Sequence, residues 1–477
     1  MPVRPSGAAQ LRGPTRRLSG LRVGVYGSAG APWHHLALLA LHGADVSVAR
    51  AEDVASGRLE DRDVLVFPGG GALAMAGLIA PLGEDGARAV RSWVERGGTY
   101  VGSCAGSVLP VALTGAADAA VPAARCLRLV DVPLANAGDA TLGGLASPGV
   151  GRIVVRLDPD HPFAAGLPER VELVHYNGPL FDVARAGAGV TPFAWPEAAT
   201  ERFTPAERFL ETPTEPFVGA TTLERCVELG AGTGVTADLG RGRTVLFGSH
   251  PEFGLGPLGL GWGAGAELLV RALEAGVRAA TSGPAEDRSA ATWSVAREVP
   301  GAAPRELAAS AAADLRRAAS RFATLARADA GGWLEPGYAA SFHGVPARKA
   351  WAEELSAAAE ASAAAAEDLD ALAQELGPAD APWLDDAPRP GQDFGAMGLR
   401  QVLAKLHVQL DEAERLLAAP PRRPAHAYDL FDAHPFHLAM GSYLSAAGMA
   451  AAALLTVTVL HALRGDAGPR GRGLLWA

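Results

Sequence analysis

The segment Gly102-Ser103-Cys104-Ala105-Gly106 holds a thiol between two glycines, each two residues away. A nucleophile on a sharp strand-to-helix turn needs small residues at those positions, because larger ones clash. The same turn sets the sulfur at a helix start, where the dipole and unpaired amides favour a thiolate. Acyl chemistry at such a thiol requires a base and a carboxylate to orient that base. His250-Pro251-Glu252 offers both at the end of a predicted strand, where residues two apart share a face and proline stiffens the spacing. The reaction also needs amide donors for the developing oxyanion, each worth about 3 kcal/mol. Gly69, Gly70 and Gly71, following a buried strand, and the amide of Ala105 are the candidates. Each feature alone has a plainer reading: an inert cysteine beside a turn, a polar strand exit, a tight glycine turn. Cys126 and Cys226 lack such settings and read as inert.

His34 and His35 open the first predicted helix and could line the same pocket, or serve only as a polar helix start. His426, Asp429, Asp432, His434 and His437 are ligand types at loose spacing. They read as a solvated entry to the last helix, so no metal and no cofactor is expected.

The elements that must position this chemistry alternate as βαβ units. Strands are predicted at 22–26, 45–49, 64–67 and 99–101, with helices at 33–42 and 84–96, the latter closed by Gly97 and Gly98. Between 130 and 248 helical periodicity fades, and strands are predicted at 152–157, 171–176, 235–239 and 243–247, the last two joined by a Gly240-Arg241-Gly242 hairpin turn. A helix over 265–277 closes this region. Residues 281–304 read as a linker, and helices over 305–327, 345–376, 398–418 and 437–463 form a bundle. The expected division is a tail at 1–20, an α/β domain at 21–280, the linker, a helical bundle domain at 305–465 and a tail at 466–477.

Length and composition agree: 477 residues, 49% apolar and 20% charged, describe two globular domains. A net charge of −10 with no concentrated basic face excludes nucleic acid as the expected partner. Three cysteines fit a reducing compartment, and a cytoplasmic location is the default. The stretch 438–460 carries no charge and is long enough for a membrane span, but its alanines, glycines and serines favour a buried bundle helix.

The order of glycine loop, cysteine elbow and His250-Pro251-Glu252 about 145 residues later resembles the class I glutamine-amidotransferase superfamily. More narrowly, Val66-Phe67-Pro68-Gly69-Gly70, Asp160-His161-Pro162-Phe163 with Gly166-Leu167-Pro168, and Tyr176-Asn177-Gly178-Pro179 look like the biotin-protein-ligase N-terminal domain family. The resemblance covers about 21–276. It implies a parallel-sheet, flavodoxin-like α/β fold followed by an unrelated all-α bundle. It further implies Cys104 as nucleophile, His250 as general base and acid, Glu252 as its orienter, and a loop of His175, Tyr176 and Asn177 near the substrate. The superfamily's glutaminases carry a glutamine four residues after the cysteine, where this chain has Val108. No biotin-ligase catalytic domain is recognisable.

The expectation is a Cys-His-Glu amidase or amidotransferase, working through a thioester on a small amide or carboxylate-containing substrate. Two alternatives stand beside it: a non-catalytic binding or regulatory protein on the same fold, and a cysteine peptidase. The bundle would shape the cleft, pair protomers or bind a partner enzyme.

Overall fold

The structure is a computed structural model that describes residues 15–70, 74–138, 145–207, 217–254, 259–261, 263–281, 303–327, 347–386, 397–418 and 435–465. Its centre is a nine-stranded sheet in the order β2-β1-β3-β4-β9-β8-β7-β5-β6. The strands are β1 (Arg22–Tyr26), β2 (Asp45–Ala49), β3 (Val64–Phe67), β4 (Thr99–Ser103), β5 (Gly149–Leu157), β6 (Arg170–Tyr176), β7 (Val190–Pro205), β8 (Gly234–Leu239) and β9 (Gly242–Phe247). The half from β2 to β9 is parallel, and from β9 onward each neighbour is antiparallel. The central strands β3 and β4 are buried on both faces because helices cover both, as βαβ crossovers require.

On one face lie α2 (Ala51–Ala55), α3 (Ala74–Glu95) and the short α4 (Ala105–Val108) and α6 (Ala124–Leu127); α5 (Gly115–Ala120) lies between α4 and α6 in the chain. Tyr26, Phe67 and Tyr100 stack beneath them, with centroids 4.4 and 5.1 Å apart. On the other face lie α1 (Trp33–Leu41) and α8 (Gly263–Thr281), while α7 (Thr222–Glu228) packs on β7. The helix expected at 84–96 begins earlier: α3 runs from Ala74 and bends at Gly83, whose φ of 63° interrupts the helical path.

The helical part comprises α9 (Pro304–Arg327), α10 (Ala347–Leu372), α11 (Ala381–Leu384), α12 (Leu399–Leu417) and α13 (Pro435–Ala462). Helices α9, α10, α13 and α12 pack in that cyclic order, a four-helix bundle. From Ala446 to Leu460 nearly every side chain of α13 is buried. A helix apolar all round must be covered on every side. Two sides are bundle neighbours, α10 and α12, and α1, itself apolar after His35, is another. Thr456 and Thr458 donate to the carbonyls of Ala452 and Leu454, which satisfies their hydroxyls inside the core. Among the described residues no helix is long and apolar enough to cross a membrane.

Candidate active site

Cys104 sits between β4 and α4 with φ 50° and ψ −116°, a conformation that costs a non-glycine residue roughly 1–3 kcal/mol. The surroundings enforce it. The Cys104 amide donates to Phe247 O at 2.9 Å, Ser107 Oγ donates to the same carbonyl at 2.8 Å, and Tyr100 Oη donates to Gly106 O at 2.6 Å. The flanking glycines are sterically obligatory. A Cβ on Gly102 would lie 2.5 Å from Gly106 O, and one on Gly106 would lie 2.2 Å from Phe67 O. The thiol donates to Tyr176 O at 3.3 Å.

His250 and Glu252 lie just beyond β9 in a turn, a correction to the expected shared strand face. His250 N donates to Val174 O at 2.8 Å, and Gly261 N donates to Glu252 O at 2.7 Å, so β6 and the following loop fix the turn. Within it His250 Nδ1 meets Glu252 Oε1 at 2.7 Å, with both side chains buried. Burial alone would push the His250 imidazole down, but the Glu252 carboxylate, then Cys104, outweigh it and raise its pKa to about 10. Burial would raise Glu252, yet His35 and His250 hold its pKa at about 2. His250 Nε2 has no hydrogen-bond partner among the described residues. Phe253 stacks on the imidazole at 4.4 Å and 6°, and the Tyr176 ring meets it edge-on at 5.6 Å.

Gly69 closes the site from the glycine loop. A Cβ there would lie 2.6 Å from His250 Cε1 and 3.6 Å from the Cβ of Cys104, so only hydrogen fits between the two side chains. Gly70 follows at the end of the described loop, Ala105 is buried at the start of α4, and Gly71 lies outside the described residues. Val108 is buried in the core, on the last turn of α4.

The 175–177 loop divides. His175, expected near the substrate, is wholly buried, bonds Ser249 Oγ at 3.1 Å, and is held by burial and His250 at a pKa of about 3. It supports the turn from behind. Tyr176 faces His250, and Asn177 takes the left-handed conformation with φ 48°. His34 meets Phe253 edge-on at 4.4 Å. His35 reaches further: its Nε2 lies 3.1 Å from Ser103 Oγ and 3.6 Å from Glu252 Oε2. Ser103, absent from the candidates the sequence suggests, lies 3.2 Å from Glu252 Oε2. Its only signal in the chain is adjacency to Cys104.

Of the cluster considered for a metal, His426, Asp429, Asp432 and His434 lie outside the described residues, as does the side chain of His437. No group of three His, Cys, Asp or Glu able to hold a metal occurs among the described residues.

Residues 59–112, from before β3 through the cysteine elbow, match the family described as biotin-protein ligase, N terminal. No curated protein matches the chain. Solved structures similar to it include the following three. A GMP synthase subunit protein, described as putative, from Thermoplasma acidophilum shares 14% identity, over 55% of this chain and 98% of that one, with a TM-score of 0.33. PurLQS from Thermotoga maritima shares 14%, over 54% and 98%, with a TM-score of 0.34. A glutamine amidotransferase from Thermotoga maritima shares 12%, over 55% and 86%, with a TM-score of 0.27.

Proposed function

We propose that the chain is a cysteine-dependent amidase or amidotransferase in which Cys104 is the nucleophile, His250 the general base and acid, and Glu252 the residue that orients His250. The observation that carries the reading is the strained elbow of Cys104 beside a His250 whose Nδ1 is anchored on a buried carboxylate at 2.7 Å. Strain of this kind persists only where the surroundings over-determine it, and it clusters at sites of chemistry. The match of residues 59–112 to the biotin-protein-ligase N-terminal family supports the reading at its nucleophile half.

In this reading the raised proton affinity of His250 keeps the Cys104 proton on Nε2, and the Cys104 thiolate attacks the amide carbon. The carbonyl π pair moves to oxygen, where the amides of the 69–70 loop and Ala105 accept the charge. Collapse breaks the C–N bond as His250 returns the proton to the departing nitrogen, leaving a thioester on Sγ. Water, giving its proton to His250, then expels the thiolate and releases the acid. An amine in place of water would complete an amide transfer. A buried Val108 gives no side-chain hydrogen bond to a glutamine amide, so glutamine is only one candidate among small amides.

A second reading, a binding or regulatory protein, is favoured by one contact: the thiol at rest donates to Tyr176 O and not to His250. Titrating alkylation of each cysteine with iodoacetamide separates the two. Selective labelling of Cys104 over Cys126 and Cys226, lost with Glu252→Gln, supports the enzyme. Equal labelling of all three overturns it. Ammonia release from glutamine and from simple primary amides, in parent and Cys104→Ala, then tests the substrate class.

A further inference from the structure

Glu252 has two carboxylate oxygens, and His250 uses only one. Oε2 points the other way, toward Ser103 at the end of β4 and His35 on α1. All three side chains are buried, His35 and Ser103 completely. A carboxylate in such a place needs a donor on each oxygen, since an unpaired buried charge is costly.

The hydrogen order follows from chemistry. His35 is neutral, because burial lowers its pKa more than Glu252 raises it, with His250 lowering it further. A neutral imidazole facing a carboxylate presents its N–H and not its lone pair, so Nε2 carries the hydrogen. That N–H donates to Ser103 Oγ at 3.1 Å, which frees the hydroxyl hydrogen for Glu252 Oε2 at 3.2 Å. The opposite order would set the lone pairs of Ser103 Oγ and His35 Nε2 against Oε2. His35 Nδ1, buried and unpartnered, is the end of the chain.

We propose that His35 and Ser103 form a second donor arm on Glu252, a pair of positioning residues that fixes the carboxylate and through it the aim of His250 at Cys104. Three separate elements thereby meet on one group: α1 through His35, β4 through Ser103, and the turn after β9 through Glu252. The arm rests on the reading of Cys104, His250 and Glu252 as the reacting set, and it explains a feature that reading leaves unused. The other titratable groups facing His250 are Cys104 from the elbow and His175 and Tyr176 from β6.

The test follows the His250 proton directly in the full chain, by NMR of ring-labelled histidine, with the signal assigned by its loss in His250→Gln. Ser103→Ala removes the last donor of the arm at almost constant volume, and His35→Phe removes the first. Each is expected to lower the His250 midpoint by about one unit, a tenfold loss of proton affinity. His35→Gln, whose amide can still donate to Ser103, should hold the midpoint near that of the parent. An unmoved midpoint in Ser103→Ala overturns the arm, and so does a midpoint that falls equally in His35→Gln and His35→Phe, because ring packing would then be the cause. If His35→Phe does not fold, Ser103→Ala decides alone. The readout is independent of turnover: a parent that cleaves no amide fails the proposed function, while the His250 midpoints still decide the arm.

Discussion

Glu252 meets His250 Nδ1 at 2.7 Å in a setting where neither side chain reaches solvent, so the imidazole can exchange protons only through Nε2. Replacing the carboxylate by an amide keeps the shape but removes the charge that favours imidazolium. Glu252→Gln is expected to lower amide turnover by about 10³–10⁴-fold, the scale at which an orienting carboxylate acts on a histidine base. Stability should report the same pair. The carboxylate, with pKa lowered to about 2, contributes stability above its ordinary 4.5 and loses it as pH falls through about 2. The imidazole, raised to about 10, contributes below its ordinary 6.5 and loses it as pH rises through about 10. The gap in Tm between parent and Glu252→Gln is therefore widest from 4.5 to 6.5 and narrows toward 10, which calorimetry across that range checks.

Two glycines near Cys104 fail for different reasons when a methyl is added. On Gly106 the methyl would lie 2.2 Å from the Phe67 carbonyl oxygen, and backbone cannot step aside. Gly106→Ala is expected to cost about 1–3 kcal/mol or more in urea unfolding, the range of overpacking. On Gly69 the nearest atom is His250 Cε1 at 2.6 Å, a side chain. Gly69→Ala should leave the unfolding midpoint nearly in place while displacing the base, so that turnover falls by at least about tenfold. Equal effects of the two on stability would remove Gly69 from the site.

The part of the site that sequence discloses is the part its own backbone enforces. Gly102-x-Cys104-x-Gly106 is legible because the elbow excludes Cβ atoms at two fixed positions, and His250 and Glu252 because only one residue separates them. The arm on Glu252 is hidden, since His35, Ser103 and Glu252 are joined across 68 and 149 residues. His175 misleads because proximity in the chain to Tyr176 and Asn177 does not settle which way a strand residue faces; its ring goes into the core. Among the elements, the parallel strands are plain from apolar runs, whereas β7 escapes notice because Pro192, Pro196 and Pro205 break its pattern and its pairing with β5 and β8 shifts register. The kinked start of α3 is obscured at Gly83 for a similar reason, a breaker that tertiary packing overrides.

Phe253 lies flat on His250 at 4.4 Å and 6°, a geometry that stabilises a charged imidazole through the face of the ring. Phe253→Leu keeps apolar bulk and removes that face. The His250 midpoint is expected to fall by the equivalent of about 0.5–2 kcal/mol, with the folded fraction unchanged. Histidine NMR measures it, and a midpoint equal to the parent's would reduce Phe253 to a packing residue.

Arg50, at the start of α2, pairs with Asp386, which lies between α11 and α12, so the α/β sheet and the helical part are joined by charge as well as by the α1–α13 contact. The guanidinium is 9% exposed and the carboxylate 29%, which places the pair where solvent screens it little. The guanidinium also reaches Gly27 O at 3.4 Å. Asp386→Ala should destabilise the full chain by about 1.5–3 kcal/mol in urea unfolding, the range of a hydrogen bond to a charged group. Asp411, paired with Arg321 within the bundle but 71% exposed, is the comparison. Asp411→Ala is expected to cost about 0–1 kcal/mol, as exposed pairs do. If the two variants unfold alike, the Arg50–Asp386 pair does not couple the helical part to the sheet, and the apolar faces of α1 and α13 hold it alone.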